Sequence, residues 1–147
     1  MKKTIVTLSA VAVLMGSTAM ADGAADKHPD LAFRHHTMET IKDNTGALSA
    51  ILKGQGEAEN FDVYADAIAA NAKAFTVVAK QKVPGGETLD AAWENFEDYS
   101  GKLDKFTADS AAIAALGNDA TMQQRVAAFT ALTKNCKACH DDYRKEH

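Results

Sequence analysis

Apolar positions recur at alternating three- and four-residue spacing in four long stretches, each closed by clear breakers. That spacing is the signature of amphipathic helices. The first stretch, about Pro29 to Lys53, carries Leu31, Arg34, Met38, Ile41, Thr45, Leu48 and Leu52 on one seam and ends at Gly54 and Gly56. The second, about Ala58 to Gln81, carries Phe61, Ala65, Ile68, Ala72, Phe75 and Ala79 and stops at Val83-Pro84-Gly85-Gly86. The third, about Thr88 to Leu116, carries Leu89, Trp93, Phe96, Ser100 and Leu103, with Gly101 as a point of weakness or bending. The fourth, about Ala120 to Lys145, carries Met122, Val126, Phe129, Thr133, Cys136, His140 and Tyr143, with Asn118 or Asp119 as its expected N-cap. No run of β-branched residues alternates with period two, so no sheet is predicted. Four such helices joined by short connections predict an all-α protein, an antiparallel four-helix bundle.

The seams are rich in Ala and Thr. Large aliphatic residues thin out near the start of the first helix and the end of the fourth. There Arg34, Cys136 and His140 take positions that periodicity assigns to the core. Polar groups at core positions cost free energy unless something satisfies them. The pattern therefore points to a filler other than side chains at that end of the bundle.

The chain has 147 residues, 46% apolar and 24% charged, with two prolines, which is the composition of one folded globular domain. A formal net charge of −4 sets aside a basic nucleic-acid reader, and two cysteines exclude a disulfide-dense miniprotein. The first residues read as an export signal. Lys2 and Lys3 form a positive start, Ile5 to Met15 an apolar stretch too short to span a bilayer, and Ala19-Met20-Ala21 a cleavage site. Residues 1–21 are thus expected to be removed, leaving 22–147 as the mature domain in the periplasm. Loss of the two lysines makes that domain two charges more negative.

Both cysteines fall in Cys136-Lys137-Ala138-Cys139-His140, the C-x-x-C-H signature of c-type haem attachment. The spacing has a chemical reason. Cysteines three apart share one helix face and can form thioethers to the two vinyl groups of one porphyrin. The next residue, His140, then supplies an imidazole ligand to iron. Three other readings compete. A thioredoxin-like C-x-x-C wants a strand before it and a βαβ setting. Structural zinc wants four ligands. A local disulfide leaves the histidine unexplained.

The motif sits seven residues from the C-terminus of a four-helix chain. In this the sequence resembles the class II c-type cytochromes, cytochrome c′ and the cytochrome c-556 group. The resemblance rests on Cys136-Lys-Ala-Cys-His-Asp-Asp-Tyr-Arg144, on Arg34-x-x-x-Met38, on Ile51-Leu52-Lys53-Gly54 and on Trp93. It implies one haem c, covalently held through Cys136 and Cys139, with His140 as proximal ligand. It also implies Met38 over the distal face, Arg34 near the propionates, Arg144 close to the proximal imidazole and Trp93 packed near the haem.

The family holds two kinds of iron site. In one, Met38 is the sixth ligand of a low-spin electron carrier. In the alternative, the iron is five-coordinate and high-spin and binds nitric oxide or carbon monoxide, with Met38 a core filler. The run Thr37 to Asn44 and the short connection from Lys82 to Glu87 favour the first. His35 and His36 compete for the sixth position but lie off the Met38 line. His28 and His147 read as solvated and Met122 as core. Glu39, Asp43 and Asp98 read as a solvated acidic face rather than an acid–base set, so no enzyme is expected. The acidic surface fits redox partners with basic docking patches and argues against nucleic acid and anionic membranes. The resemblance further implies a homodimer through the first two helices, where Leu48, Ile51, Phe61 and Val63 fit either that interface or the core.

Overall fold

The structure, a computed structural model, describes residues 28–117 and 119–146. The segment expected to be an export signal and the residues up to 27 lie outside them, as do Asn118 and His147. Helix α1 spans Pro29–Leu52, a 3₁₀ turn spans Ala58–Asn60, α2 spans Phe61–Ala79, α3 is the short Ala91–Glu94, α4 spans Phe96–Ala114 and α5 spans Met122–Tyr143. The four long helices form the expected bundle. Among the described residues the only extended pairing is one antiparallel bridge, Thr88 to Arg144.

The ends follow local chemistry. Gly54 takes φ 72°, and its N–H and that of Gln55 donate to the carbonyls of Ile51 and Ala50 at 2.9 Å each, a Schellman closure that only glycine enters without strain. The N-cap of α5 is Thr121, not Asn118 or Asp119. Its hydroxyl accepts from the Gln124 N–H at 3.2 Å, and the Gln124 amide oxygen accepts from the Thr121 N–H at 2.9 Å.

The third predicted helix is two. The break falls at Asn95 (φ −110°, ψ 48°), while α4 runs straight through Gly101. The break rephases the chain, so that Tyr99, Leu103, Phe106, Ser110 and Ile113 face inward and Ser100 does not. Burying a tyrosine ring removes far more apolar surface from water than burying a serine. In α5 the buried line is Arg125, Leu132, Asn135 and Tyr143. The expected seam lies to one side of it: Phe129, Thr133, Cys136 and His140 are half-buried, and Met122 and Val126 are exposed. Met122 is therefore surface, not core. Arg125 is buried with its guanidinium 4.5 Å from the Phe61 ring, joining α5 to α2.

The core runs along α2, whose seam of six is wholly buried, and collects Ile41, Leu48 and Ile51 from α1 and Leu132 from α5. Leu48, Ile51 and Phe61 are spent in this core, whereas Val63 is exposed. Leu132 is fully buried, so Leu132→Ala is expected to destabilise the bundle by about 2–5 kcal/mol, through lost transfer energy and the cavity left behind. Denaturant unfolding checks this, and a loss under about 1 kcal/mol would mean that α5 is loosely packed.

Packing round the bundle is uneven. α1 lies along α2, α2 along α4 and α4 along α5, but the α1–α5 pair, which should close the ring, touches only sparsely. Those two helices form the sparsely packed side of the ring, the slot.

Candidate haem site

Helix α5 carries Cys136, Cys139, His140 and Tyr143 on or beside its buried face. Cys136 and Cys139 are half-buried free thiols, both packed against the core. Asn135 marks the α4 side of the helix, its amide donating to Lys102 O at 3.4 Å. His140 lies at the other edge of the buried arc, on the α1 side, as helical spacing requires. Tyr143 follows one turn later and is buried.

The electrostatics suit ligation rather than thiol chemistry. Burial pushes the Cys139 thiol up to about 11 and Cys136 upward as well, so neither is a reactive thiolate. This weakens the thioredoxin-like reading. Burial lowers the His140 pKa, and the positive charge of Arg144 lowers it further against Glu87 and Asp141. A neutral imidazole is the form that binds iron. Among the described residues no group of three His, Cys, Asp or Glu is assembled as a metal-ligand cluster, so the four-ligand zinc reading has no structural support.

From the α1 side come Arg34, buried, and Met38, half-buried and packed against the core one turn later. Met38 lies on the same edge of α1 as Leu31 and His35. That edge faces the 83–87 segment, where Gly85 meets Leu31 and the His35 Nδ1 lies 3.9 Å from Glu87 Oε1. His35 therefore points to Glu87, and His36 is exposed. His28 is exposed and caps α1, its Nδ1 accepting from the Asp30 N–H at 3.3 Å.

Trp93 sits beside the slot. Its ring stacks edge-on against Tyr99 with centroids 5.6 Å apart, and the Arg34 guanidinium lies 5.7 Å from its centroid. The Trp93 Nε1–H is buried with no acceptor. A buried donor without a partner costs free energy. A carboxylate-bearing group in the slot would satisfy it. Two thiols on one face, an adjacent neutral imidazole, a slot between sparsely packed helices and an orphaned indole N–H together fit haem c. Arg34 departs from the simplest expectation. Its two terminal nitrogens donate to Val83 O at 2.9 Å and Gly85 O at 3.0 Å, so it grips the loop as well as bordering the slot.

Sequence reasoning missed Tyr99 and the Tyr143–Asp98 pair. The Tyr143 hydroxyl donates to the Asp98 carboxylate at 2.6 Å, and Lys102 lies 3.5 Å from Asp98 and 3.1 Å from Asp142. The Tyr143 bond, supported by Lys102, holds Asp98 below the usual carboxylate range; the same bond pushes the Tyr143 phenol up to about 12. A depressed carboxylate contributes stability above its unfolded pKa and loses it as pH falls through the lower folded value. A raised phenol contributes stability below its unfolded pKa and loses it as pH climbs toward 12. Tyr143→Phe is expected to raise the Asp98 midpoint toward the ordinary carboxylate range, with Lys102 still holding it somewhat below, read from carboxyl-carbon NMR shifts during an acid titration. An unmoved midpoint would mean that the hydrogen bond does not form in solution. The signal for this pair was faint, since Asp98 and Tyr143 lie on different helices.

A family model, Cytochrome C′, matches residues 30–144. A cytochrome c-556 of Agrobacterium tumefaciens is 39% identical over 117 residues, covering 76% of this chain and 93% of that protein. A cytochrome c′ of Rhodopseudomonas palustris is 29% identical over 144 residues, covering 91% and 94%. Among solved structures, cytochrome c prime from Shewanella frigidimarina superposes with a TM-score of 0.72 at 29% identity, over 80% of this chain and 94% of that one. A ferrous variant of cytochrome c prime from Alcaligenes xylosoxidans with bound NO superposes equally well at 19% identity, over 80% and 94% of the two chains. At that identity the likeness is one of fold.

Proposed function

The chain belongs to the cytochrome c′ family, whose cofactor is haem c, and on that premise we propose that it is an exported electron carrier of the low-spin c-556 kind. Cys136 and Cys139 would hold the haem through thioethers, and His140 and Met38 would supply its protein ligands. When bound, the haem supplies a one-electron couple, and methionine opposite histidine raises its potential.

The protein's part is to hold and orient. Helix α5 presents both sulfurs and the imidazole from one rigid face. Met38 comes from the opposite wall, on the edge of α1 turned toward the 83–87 segment. The observation that supports the reading is that half-buried Met38 and half-buried His140 stand on α1 and α5, two neighbouring helices that touch only sparsely. The 39% identity to a cytochrome c-556, against 29% to a cytochrome c′, supports the methionine-ligated form. Trp93 would offer its unpartnered indole N–H to a carboxylate of the haem, Arg34 borders the Trp93 ring, and burial, aided by Arg144, lowers the His140 pKa toward the neutral form.

A second reading has its own support. A relative at 29% identity is a cytochrome c′, and a solved protein of this fold carries NO. In that reading the iron is five-coordinate, Met38 only packs, and the ligand is nitric oxide or carbon monoxide. The two are separated by adding carbon monoxide to the reduced, haem-loaded protein. An unchanged spectrum supports the carrier, and a shifted one the gas binder.

Neither reading needs acid–base catalysis. Glu39 is engaged with Lys42, and Asp98 with Tyr143. Among the described residues no helix is long and apolar enough to cross a membrane. The acidic chain suits partners that dock through basic patches. The exposed Phe33, Val63 and Val77 of α1 and α2 are the apolar residues a second copy would cover.

A further inference from the structure

The loop between α2 and α3 is fastened on both sides, and its two fastenings lie on opposite walls of the slot. On the α1 wall, the buried Arg34 donates to Val83 O and Gly85 O. One turn earlier Leu31 lies against Gly85, where an added Cβ would come within 3.0 Å of Leu31 Cδ1. Gly85 also has φ 116°, so a side chain there is strained whatever the space. On the α5 wall, Thr88 bridges Arg144, the Leu89 N–H donates to Tyr143 O at 2.9 Å and the Lys145 N–H donates to Glu87 O at 2.9 Å. The Lys145 Nζ adds a bond to Gly86 O at 2.7 Å. Arg34 stands one turn before Met38, and this tail stands one turn after His140.

Helices α1 and α5 barely touch one another directly. The loop therefore carries much of what fixes their separation at this end. We infer that residues 83–89 form a strap that sets the width of the slot, and that Arg34 is the positioning residue that clasps it, so that loosening the clasp admits a diatomic ligand on the Met38 side. Arg34 acts through the loop carbonyls, not on the iron. Its planar fork meets two carbonyls at once, which a lysine ammonium on a flexible stem cannot reproduce.

The inference rests on the haem lying between α1 and α5, but not on which ligand opposes His140. The test uses the haem-loaded protein with carbon monoxide as probe, together with amide hydrogen exchange at Leu89 and Lys145. Measured in the Met38→Ala background, where the gas binds and which serves as the parent for this comparison, Arg34→Gln is expected to increase carbon monoxide binding by about tenfold, equivalent to ~1.4 kcal/mol, and to speed exchange at both amides. Gly85→Ala leaves the Arg34 charge in place and is expected to move both readings the same way. Arg34→Lys should fall between parent and Arg34→Gln. If Arg34→Gln increases gas binding while Gly85→Ala matches the parent, Arg34 acts on the haem by its charge and the strap is overturned. Parental gas binding and exchange in both variants overturns it as well. Should Arg34→Gln fail to fold, Gly85→Ala decides alone. The unsubstituted protein's own response to the gas judges Met38 ligation separately, because the strap is read only from differences between each variant and the Met38→Ala parent.

Discussion

Replacing Cys136 and Cys139 together by serine is expected to abolish covalent haem, so that no haem stain remains with the polypeptide on a denaturing gel. Serine hydroxyls are near in size to the thiols but form no thioether. Each single variant should keep haem through one bond, at lower yield. The size of the effect follows from placement. Both sulfurs stand on one face of α5, half-buried at the edge of the slot, and they are the two cysteines of the chain. The free-thiol pKa values argue the same way. Burial raises both thiols, Cys139 to about 11, which disfavours a reactive thiolate at neutral pH. Full haem staining in the double variant would end the assignment of these residues.

Met38→Ala is the second large effect. It is expected to convert a low-spin spectrum to a high-spin one, to lower the potential and to create carbon monoxide binding where the parent has none. A thioether ligand stabilises the reduced iron, so its removal lowers the potential. Folding should survive, because Met38 is half-buried and lies beside the core rather than inside it. Met38→Leu separates packing from ligation. It keeps the volume and removes the sulfur, so it should behave as Met38→Ala does in the spectrum and as the parent does in thermal unfolding. If Met38→Ala leaves both spectrum and potential unchanged, Met38 is a packing residue.

Much of the bundle was legible because its signals are local. The α2 seam of Phe61, Ala65, Ile68, Ala72, Phe75 and Ala79 repeats without interruption, and every member is buried. Gly54 stops α1 close to where the structure stops it, and α2 ends at Ala79, shortly before the Val83–Gly86 breaker, because a positive φ or a proline acts on its near neighbours. The cysteine–histidine signature is legible for the same reason, since its geometry lies within about one helical turn. What escaped is tertiary. Nothing local says that the chain breaks at Asn95 and continues through Gly101. That choice is made by where the Tyr99 ring can bury. The α5 line shifted because Asn135 reaches Lys102 O and Arg125 reaches the Phe61 ring, contacts with helices remote in sequence. The strap was invisible, because Thr88 and Arg144 pair across more than fifty residues and neither lies in a strand-like run. Arg34 was noticed as a charge at a core position. The carbonyls that accept its hydrogen bonds belong to a loop about fifty residues away.

The central claim is that Met38 and His140 hold one haem from opposite walls of the α1–α5 slot. Its most direct test is the optical spectrum of the exported, haem-loaded protein, oxidised and reduced, with and without carbon monoxide. The account predicts sharp low-spin bands on reduction, a red-region methionine–iron charge-transfer band on oxidation, and no response to the gas. A broad high-spin spectrum that shifts on adding carbon monoxide would contradict it.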